Sequence, residues 1–294
     1  MKPKSDFLGA CQFMDSVQNC AAMGTPRLAN KYRTALITGA SSGLGLAFAR
    51  MLANEGVKVS GTTRDPSREG LDPGINWIGM EGNSMVQVDH FVEKHKQLLS
   101  SIDILINNAG SSYFSRESPN IKDLSSGQQN LLYGTPVRLT QEALAGMRRR
   151  EFGAIVNVSS LAALFPLPYM AGYSAGKAGL SAYTQGLMIV EKDAGVTLID
   201  FQAGDYKTAF NANIRKDEIT EDKMQRVWNR LEENMLSSPE PERAARDLRR
   251  ALIKGRSGIV RSGGFFQSRF APFGMRLLPS SLVRKAIRSY YGIG

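Results

Sequence analysis

From Tyr32 onward, short apolar runs alternate with segments of helical spacing, and this alternation limits the possible folds more than any other feature of the chain. Strands separated by helices form βαβ units, which require a parallel sheet with right-handed crossovers. Helices that cover both faces of such a sheet explain why the apolar runs are continuous rather than alternating with polar residues. The sequence therefore predicts an α/β fold, a doubly wound parallel sheet in a single domain.

The predicted elements follow one another at short intervals. Strands are expected at residues 34–38, 57–62, 76–80, 102–106, 154–158 and 196–201, with a seventh at 257–260. Helices are expected at residues 44–54, 85–99 and 173–191, and glycine at position 56 is a good stop for the first of them. A further helix over 219–236 interrupts this rhythm and is a candidate lid over a pocket.

An extension is predicted at each end of the domain. Residues 1–30 carry a broken helical stripe and are expected to form a disordered or loosely docked arm. Residues 31–262 form the predicted domain, with a candidate lid at 205–241. Residues 263–294 form a basic, aromatic C-terminal tail.

The scarcity of cysteine and histidine argues against a disulfide framework, a metal site and histidine as the catalytic acid or base. Cys11 and Cys20 are the only cysteines, and both lie in the arm, so a disulfide framework is not expected and a cytoplasmic location is predicted. His90 and His95 are the only histidines and are interpreted as solvent-facing residues of a helix, so no metal site is predicted. No apolar stretch reaches the roughly 18 to 20 residues that span a bilayer. If the protein is an enzyme, its acid or base is expected to be Tyr, Lys or a carboxylate.

Positive charge is concentrated near the C-terminus. The chain has a net charge of +10, and from Arg243 onward twelve basic residues stand against one acid, Asp247. This pattern fits a solvated basic face, and anionic lipid or an acidic partner is an alternative. Nucleic acid is not expected as a partner, because the basic residues are not interleaved with a recognisable reading motif.

Two interpretations of the C-terminal tail stay open. Pro279 can start a helix on which Leu282 and Ala286, with Ser289 or Tyr290, share one side. The basic residues at 284, 285 and 288 flank that side, an arrangement that suits weak contact with a membrane surface. Alternatively, the aromatic residues pack on the domain or on a second subunit.

A glycine-rich segment joins the first strand to the first helix. Residues 38–45 read Thr-Gly-Ala-Ser-Ser-Gly-Leu-Gly. A helix N-terminus presents unpaired N–H groups to phosphate, and glycine is needed where a Cβ would block the pyrophosphate or the packing of helix on strand. The residues predicted to bind phosphate here are Gly39, Ser41, Ser42, Gly43, Leu44 and Gly45.

Tyr173 and Lys177 stand four residues apart on a predicted helix and therefore share one face. An ammonium group beside a phenol favours the phenolate, so Lys177 is expected to lower the pKa of Tyr173. A tyrosine tuned in this way can exchange protons near neutral pH.

Four motifs in order resemble the short-chain dehydrogenase/reductase family. The glycine segment matches T-G-x3-G-x-G, residues 107–110 match N-N-A-G, residues 173–177 match Y-x3-K, and Ser160 lies 13 residues before Tyr173. The resemblance spans roughly residues 33 to 260 and implies a Rossmann-like domain that forms a homodimer or homotetramer.

The resemblance also implies a role for each matching residue. Tyr173 is the general acid or base, Lys177 holds the nicotinamide ribose and tunes Tyr173, and Ser160 hydrogen-bonds the reacting oxygen. Ser159 beside it is interpreted as an ordinary turn residue. Further cofactor contacts are implied at Asn108, Ala109, Gly110, Gly204 and Thr208.

The chain departs from the family pattern on the helix before the fifth strand. The family places an asparagine there, and the usual register puts Leu132 at that position. Either the register shifts and Asn130 completes the catalytic relay, or the relay is incomplete. A milder departure is Ala203 in place of the family's proline before Gly204.

The end of the second strand bears on the choice of cofactor. An NAD enzyme usually places an acid there for the ribose 2′-hydroxyl, whereas this strand is followed by Arg64, which suits a 2′-phosphate. Asp65 is the one discordant residue. Glu81, after the third strand, resembles the family's adenine-binding aspartate. The sequence thus predicts NADP(H) in preference to NAD(H).

Together these features predict an NADP-dependent oxidoreductase that interconverts a small hydrophobic carbonyl and its alcohol. Met224, Trp228 and Leu231 of the lid helix are expected either to face the pocket or to pack as ordinary core. The alternative function is a catalytically impaired NADP-binding regulatory or scaffold protein, and Leu132 is its support in the sequence.

Overall fold

The computed structural model describes residues 27–116, 124–210, 214–265, 268, 272, 274 and 278–293. Its strands are β1 Thr34–Ile37, β2 Lys58–Thr63, β3 Asn76–Gly79, β4 Ile104–Asn107, β5 Tyr113–Phe114, β6 Gly153–Ser160, β7 Val196–Ala203, β8 Arg215–Lys216 and β9 Gly258–Ser262. Its helices are α1 Gly43–Asn54, α2 Met85–Lys94, α3 Lys96–Ser101, α4 Leu124–Gln129, α5 Thr135–Arg150, α6 Ala171–Val190, α7 Asp222–Leu236, α8 Pro241–Lys254 and α9 Ser280–Tyr290.

Seven strands form one parallel sheet in the order β3-β2-β1-β4-β6-β7-β9. The predicted α/β fold and doubly wound sheet are confirmed. The strand order reverses between β1 and β4, so the loops after these two strands diverge and leave a crevice at the carboxyl edge of the sheet. The glycine segment and residues 107–110 both lie at this crevice.

Helices cover both faces of the sheet, as the continuous apolar strands require. On one face, Phe48 of α1 and Leu248 of α8 pack on Ile37 and Phe201. On the other face, helices α2, α3 and α5 pack on the same strands from the opposite side. The core is therefore split by the sheet into two apolar layers.

A third apolar cluster lies away from the sheet. It joins Phe114, Met170 and Trp228 to Tyr291 near the C-terminus, with Tyr173 partly buried at its border. A small second sheet, in which β5 pairs in parallel with β8, supports this cluster. These two-residue strands were not predicted.

The domain begins earlier than the predicted boundary at residue 31. A 3₁₀ turn at Leu28–Asn30 packs on the domain, where Leu28 is buried and its N–H donates to the Glu55 carboxylate. The rest of the arm, including Cys11 and Cys20, lies outside the described residues.

Two predicted helices differ in detail. The helix expected over 85–99 is broken at His95, whose ring packs on Phe91 with the centroids 4.6 Å apart. His95 is therefore half-buried rather than solvent-facing, and burial lowers its pKa. The lid helix begins at Asp222, three residues later than predicted, and its Met224, Trp228 and Leu231 are buried in the third cluster.

Candidate active site

The glycine segment forms a tight turn from β1 into α1. Gly39 and Gly43 have φ of 64° and 54°, a conformation that glycine adopts readily. A Cβ on Gly45 would lie 2.2 Å from the Gly39 carbonyl oxygen, so only glycine allows α1 to begin this close to the loop. The segment thus forms a cradle that a dinucleotide pyrophosphate fits, with the N-terminus of α1 directed at it.

Asn108 ties this cradle to the loop that follows β4. Its side-chain amide donates to the carbonyl oxygens of Thr38 at 3.0 Å and Gly39 at 3.1 Å. The backbone N–H groups of Asn108 and Ala109 donate to the Thr38 hydroxyl. A Cβ on Gly39 would lie 2.9 Å from the Ala109 Cα, so the two loops are in direct contact.

Thr208 closes the other side of the cradle. The segment after β7 begins at Gly204, whose N–H donates to the Ser262 carbonyl at 2.7 Å. Thr208 approaches the glycine turn closely, because a Cβ on Gly43 would lie 3.4 Å from the Thr208 Cβ. The structure therefore brings three of the predicted cofactor-binding segments together at one edge of the sheet.

Tyr173 lies in the first turn of α6 and faces the end of β6. Its hydroxyl forms a hydrogen bond with Ser160, whose Oγ also accepts from the Ala162 N–H at 3.0 Å. Burial raises the pKa of Tyr173 to about 12, and the charge of Asp205 acts in the same direction. Tyr173 is therefore a neutral phenol at neutral pH, with a hydroxyl held by Ser160.

Lys177 is buried one turn further along α6. Its ammonium group donates to the Val158 carbonyl oxygen at 2.6 Å. Burial lowers the pKa of Lys177 to about 8, and the charge of Asp200 opposes this effect. Lys177 also lies beside the loop after β4, since a Cβ on Gly110 would be 3.7 Å from its Nζ.

The expected effect of Lys177 on Tyr173 is not found. The two residues share a helix face as predicted, but the ammonium group bonds a strand carbonyl, and desolvation dominates at the phenol. The expectation that the pKa of Tyr173 is lowered was wrong for this arrangement. Ser160 is the group that acts against the rise, because its hydrogen bond favours the phenolate.

The segment before α5 separates Leu132 from Asn130. Residues Asn130–Gly134 form a π-helical turn, a feature often associated with functional sites. Leu132 is 0% exposed and packs between Gly110 and Gly176, beside Lys177. The Asn130 amide instead donates to the Asn83 carbonyl at 3.0 Å, and no hydrogen bond of the described residues joins it to Tyr173 or Lys177. The structure therefore does not bring Asn130 into the catalytic group.

The end of β2 carries two arginines at the surface. Arg64 is exposed, and Arg68 reaches back across the glycine turn to the Ser41 carbonyl at 3.5 Å. Asp65 accepts hydrogen bonds from the N–H and hydroxyl of Ser67, which lower its pKa. Sequence reasoning missed Arg68, although its place in the loop after Arg64 was a usable signal. Glu81 lies after β3, where it was expected, and is half-buried.

A cavity of ≈ 290 Å³ opens beside the start of α6. It is lined by Tyr113, Ser115, Arg116, Gln128, Pro168, Tyr169, Ala171, Gly172 and Ile293. Tyr169 has φ of 60°, a strained value for a side chain of this size, and its ring packs on Phe114 at 5.3 Å. The cavity lies next to Tyr173 in the chain and is the candidate substrate entrance.

The C-terminal tail packs against the lid helix. Arg226 and Arg230 of α7 donate to the carbonyl oxygens of Gly292 and Tyr290. Tyr291 is buried in the third cluster, and Ile293 forms part of the cavity wall. The described end of the tail is therefore packed on the domain, as one of the two interpretations expected.

Metal-binding clusters and membrane-spanning helices are both absent from the described part of the chain. Within the residues that the structure describes, no group of three or more His, Cys, Asp or Glu could hold a metal ion. In that same part of the chain, no helix is long and apolar enough to cross a bilayer.

Comparison with known proteins gives consistent matches. A family model described as short chain dehydrogenase matches residues 33–219. A 3-ketodihydrosphingosine reductase of Bacteroides thetaiotaomicron is 28% identical over 271 residues, which cover 88% of this chain and 97% of that protein.

Solved structures match the fold. A short chain dehydrogenase from Burkholderia cenocepacia in complex with NADP has a TM-score of 0.66 at 21% identity, covering 89% of this chain and 98% of that one. A 3-ketoacyl-(acyl-carrier-protein) reductase from Brucella melitensis complexed with NADH has a TM-score of 0.63 at 21% identity, covering 78% and 95%. At these identities, the likeness shows the fold alone.

Proposed function

The chain belongs to the short-chain dehydrogenase family of NAD(P)-dependent oxidoreductases, and from this premise we propose that it is an NADPH-dependent reductase of a hydrophobic ketone or aldehyde. The observation that carries the proposal is the placement of Tyr173 beside Ser160 and one helical turn from Lys177, at the edge of the sheet where the glycine turn lies. A tyrosine carries its proton at neutral pH and can give it to a carbonyl oxygen. Because the Bacteroides relative is named a reductase, reduction is the direction we favour.

In this proposal the nicotinamide cofactor, when bound, supplies the hydride that reaches the carbonyl carbon. Ser160 donates a hydrogen bond to the carbonyl oxygen and orients it toward Tyr173. Tyr173 then gives its proton to that oxygen, so the carbonyl gains one hydride and one proton and becomes an alcohol. Lys177, one helical turn from Tyr173, would hold the nicotinamide ribose, as the resemblance to the family implied.

The same residues suggest how the cofactor is held. Gly39, Gly43 and Gly45 keep the pyrophosphate cradle free of side chains, and Asn108 fixes its shape. Thr208, placed against Gly43, can reach the nicotinamide end of the cofactor. Glu81 can bond the adenine, as the resemblance to the family implied.

A preference for NADP over NAD rests on the loop after β2. Arg64 and Arg68 are two exposed cations in this loop, and Arg68 reaches the Ser41 carbonyl. Asp65, the residue that argued for NAD, is engaged by Ser67 and by the charge of Arg68. A carboxylate already engaged in this way competes less well for a ribose hydroxyl, and two arginines suit the 2′-phosphate.

The relay through an asparagine is, in this proposal, incomplete. Leu132 fills the place beside Lys177 with apolar atoms, and the Asn130 amide bonds Asn83. Asn130 then takes no part in replacing the proton on Tyr173. This would slow turnover without abolishing it.

We assign a hydrophobic substrate on the basis of the third cluster. Tyr173 packs against this cluster, which includes Phe114, Met170 and, from the lid helix α7, Trp228. An apolar wall of this kind favours a carbonyl compound with a hydrocarbon chain. The name of the Bacteroides relative, a reductase of 3-ketodihydrosphingosine, agrees with such a substrate.

Contact with a membrane surface is a further part of the proposal. Helix α9 packs Ile287 on the third cluster and leaves Leu282 48% exposed, while Tyr290 is 46% exposed and its hydroxyl donates to Asn234 of α7. Its exposed basic residues are Arg284, Lys285 and Arg288. A basic helix with an outward apolar stripe can rest in the interface of an anionic bilayer. The substrate entrance, which Ile293 helps to line, would then open close to the lipid.

A homodimer or homotetramer is proposed by analogy with the family. Helix α6 ends in two adjacent apolar residues, Ile189 and Val190, that are exposed in the single chain. Contact with a second subunit would cover them. The cytoplasmic location expected from the cysteines stays a prediction.

A turnover assay tests the proposed function. Purified protein is incubated with NADPH or NADH and a panel of ketones and aldehydes of increasing chain length, and cofactor oxidation is followed. We expect turnover with NADPH that improves with chain length. No turnover of any member with either cofactor would contradict the proposal.

A further inference from the structure

A second polar group lies beneath the catalytic residues, in the part of the core where α6 packs on β6 and β7. Its centre is Asp200 of β7, which is 0% exposed. The Asp200 carboxylate accepts hydrogen bonds from four side chains, those of Ser159, Ser181, Gln185 and Gln202. The sequence motifs did not single out Asp200, because an acid within an apolar strand belongs to none of them.

Helix α6 carries a polar stripe that runs from the catalytic site to this carboxylate. Tyr173, Lys177, Ser181 and Gln185 follow one another at intervals of four residues, so they lie along one face. Ser181 donates to Asp200 at 2.6 Å, and Gln185 donates to both Ser181 and Asp200. Asp200 is thus bound one helical turn beyond Lys177.

Strand β6 makes a second connection. Ser159 donates its hydroxyl proton to Asp200, and the next residue is Ser160, which holds the Tyr173 hydroxyl. The interpretation of Ser159 as an ordinary turn residue is corrected by this contact, because Ser159 lies within β6 and is buried. The carboxylate therefore holds both the helix of Tyr173 and the strand of Ser160.

A buried carboxylate without compensation is costly, and the four donors at Asp200 offset the cost of its burial. Burial lowers the pKa of Lys177, and the charge of Asp200 opposes this effect. Two other charged groups lie near this region: Arg261 of β9 donates to Gln202, and Asp205 acts on Tyr173. Lys177 is the buried ammonium on the same helix face as the donors.

We propose that Asp200 is a positioning residue of the active site, which anchors β6 and α6 to each other and keeps Lys177 in its charged form. This inference rests on the proposed roles of Tyr173 and Lys177. It adds a residue on a third element to the catalytic arrangement, and it assigns the acid an electrostatic effect as well as a structural one.

The test compares two ways of weakening the network. Asp200→Asn keeps the shape of the side chain and removes its charge, whereas Ser181→Ala removes one hydrogen bond and leaves the charge in place. Asp193→Asn also removes one carboxylate charge, but in the exposed loop before β7 rather than in this network. It serves as the matched control. For each protein, kcat/KM with NADPH and a ketone that the wild type reduces is measured between acid and alkaline pH.

The expected result is a change in the shape of the pH profile. A lysine of lower pKa loses its proton at lower pH. In Asp200→Asn, the alkaline limb of the kcat/KM profile should therefore shift to lower pH by about one unit or more. At a fixed pH above the limb, activity should fall about tenfold for each pH unit by which the limb moves, with a smaller loss at acid pH. Ser181→Ala should reduce activity without moving the limb, and Asp193→Asn should behave like the wild type.

A titration of Lys177 by NMR gives a readout that does not depend on turnover. Lysine labelled with ¹³C at Cε reports each ammonium, and the Lys177→Met variant identifies its signal. The Lys177 signal should titrate at lower pH in Asp200→Asn than in the wild type. If the wild type reduces no ketone, the proposed function fails, while this titration still decides the effect of Asp200.

Several outcomes would overturn the inference. One is a folded Asp200→Asn protein whose Lys177 titrates as in the wild type. Another is an equal loss of activity at every pH, which would mean a structural role alone. Asp200→Ser is a second charge-removing variant with a hydroxyl that can still bond Ser159. If neither variant folds, Asp200 serves the fold and not Lys177, and the inference is rejected.

Discussion

At the residue scale, burial decides the chemistry of Tyr173. The phenol is desolvated on the border of an apolar cluster, and this raises its pKa to about 12. Ser160 opposes that rise by a hydrogen bond, and Lys177 is one turn away with its proton directed to Val158. At neutral pH the phenol therefore carries its proton, which is the form that the proposed reduction requires.

The two arginines after β2 lead to a prediction on cofactor choice. Arg64→Ala and Arg68→Ala should each weaken NADPH binding far more than NADH binding, because a charge-assisted contact contributes about 1.5 to 3 kcal/mol, or roughly ten- to a hundredfold. Dissociation constants from fluorescence titration measure this. Lys58→Ala, at the exposed start of the same strand, is the control and should change neither. Equal losses for both cofactors would remove the arginines from the phosphate site.

Leu132 leads to a second prediction at this scale. Asn130→Ala should leave kcat nearly unchanged, because the Asn130 amide bonds Asn83 rather than the catalytic group. Leu132→Asn should raise kcat if an amide beside Lys177 can complete a relay. Steady-state kinetics with NADPH measure both. A large drop in kcat for Asn130→Ala at unchanged cofactor affinity would show that Asn130 is the relay residue.

The sequence predicted which residues come together. It did not predict which hydrogen-bond partners their side chains have. Intervals of four residues place Tyr173 and Lys177 on one face of a helix, and the structure agrees. The partner of the Lys177 ammonium could not be predicted, because the Val158 carbonyl belongs to a strand that only the tertiary packing brings near. The same applies to Asp200, whose four donors come from three elements.

At the element scale, short segments between regular elements shape the site. The turn from β1 into α1 depends on glycine conformations that the motif predicted. The π-helical turn at Asn130–Gly134 was not predicted, since an extra residue in a helical turn leaves no periodic signal. The lid helix was predicted from its apolar stripe, whereas its contact with the tail depends on α9.

Gly45 gives a prediction for the glycine turn. Gly45→Ala should lower the melting temperature and weaken NADPH binding, because its Cβ would lie 2.2 Å from the Gly39 carbonyl oxygen. Gly186→Ala, in an exposed part of α6 with open space for a Cβ, is the matched control. It should stabilise the protein by about 0.5 to 1 kcal/mol, since glycine is unfavourable within a helix. Thermal unfolding with and without NADPH measures both. A Gly45→Ala protein as stable as the wild type would mean that the turn has room to adjust.

Helix α9 gives a prediction for membrane contact. The full chain should co-sediment with anionic vesicles and less so at high salt, because exposed charges are screened. Replacing Arg284, Lys285 and Arg288 by Gln should abolish this binding, and so should Leu282→Ser, which leaves the inward side of the helix intact. Glu218→Gln, an exposed change far along the chain from α9, is the control. Equal binding by all variants, or by none including the wild type, would assign the tail to packing alone.

At the scale of the whole molecule, the fold collects the site from distant parts of the chain. The glycine turn, residues 107–110, Ser160, Gly204 and Thr208 follow four different strands and meet at the carboxyl edge of one sheet. Continuous apolar strands and the intervals between them were enough to predict that sheet. The β5–β8 pair and the third apolar cluster were not predictable, because they form between loops and the C-terminal tail.

Tyr173→Phe tests most directly whether this edge of the sheet is the active site of a reductase. The change removes one hydroxyl and keeps the ring, so NADPH should bind with nearly the affinity of the wild type. We predict that kcat for ketone reduction falls by about 10² to 10⁴-fold, the usual contribution of general acid catalysis. A variant that binds NADPH and retains more than half of the wild-type kcat would contradict the assignment of Tyr173 as the acid.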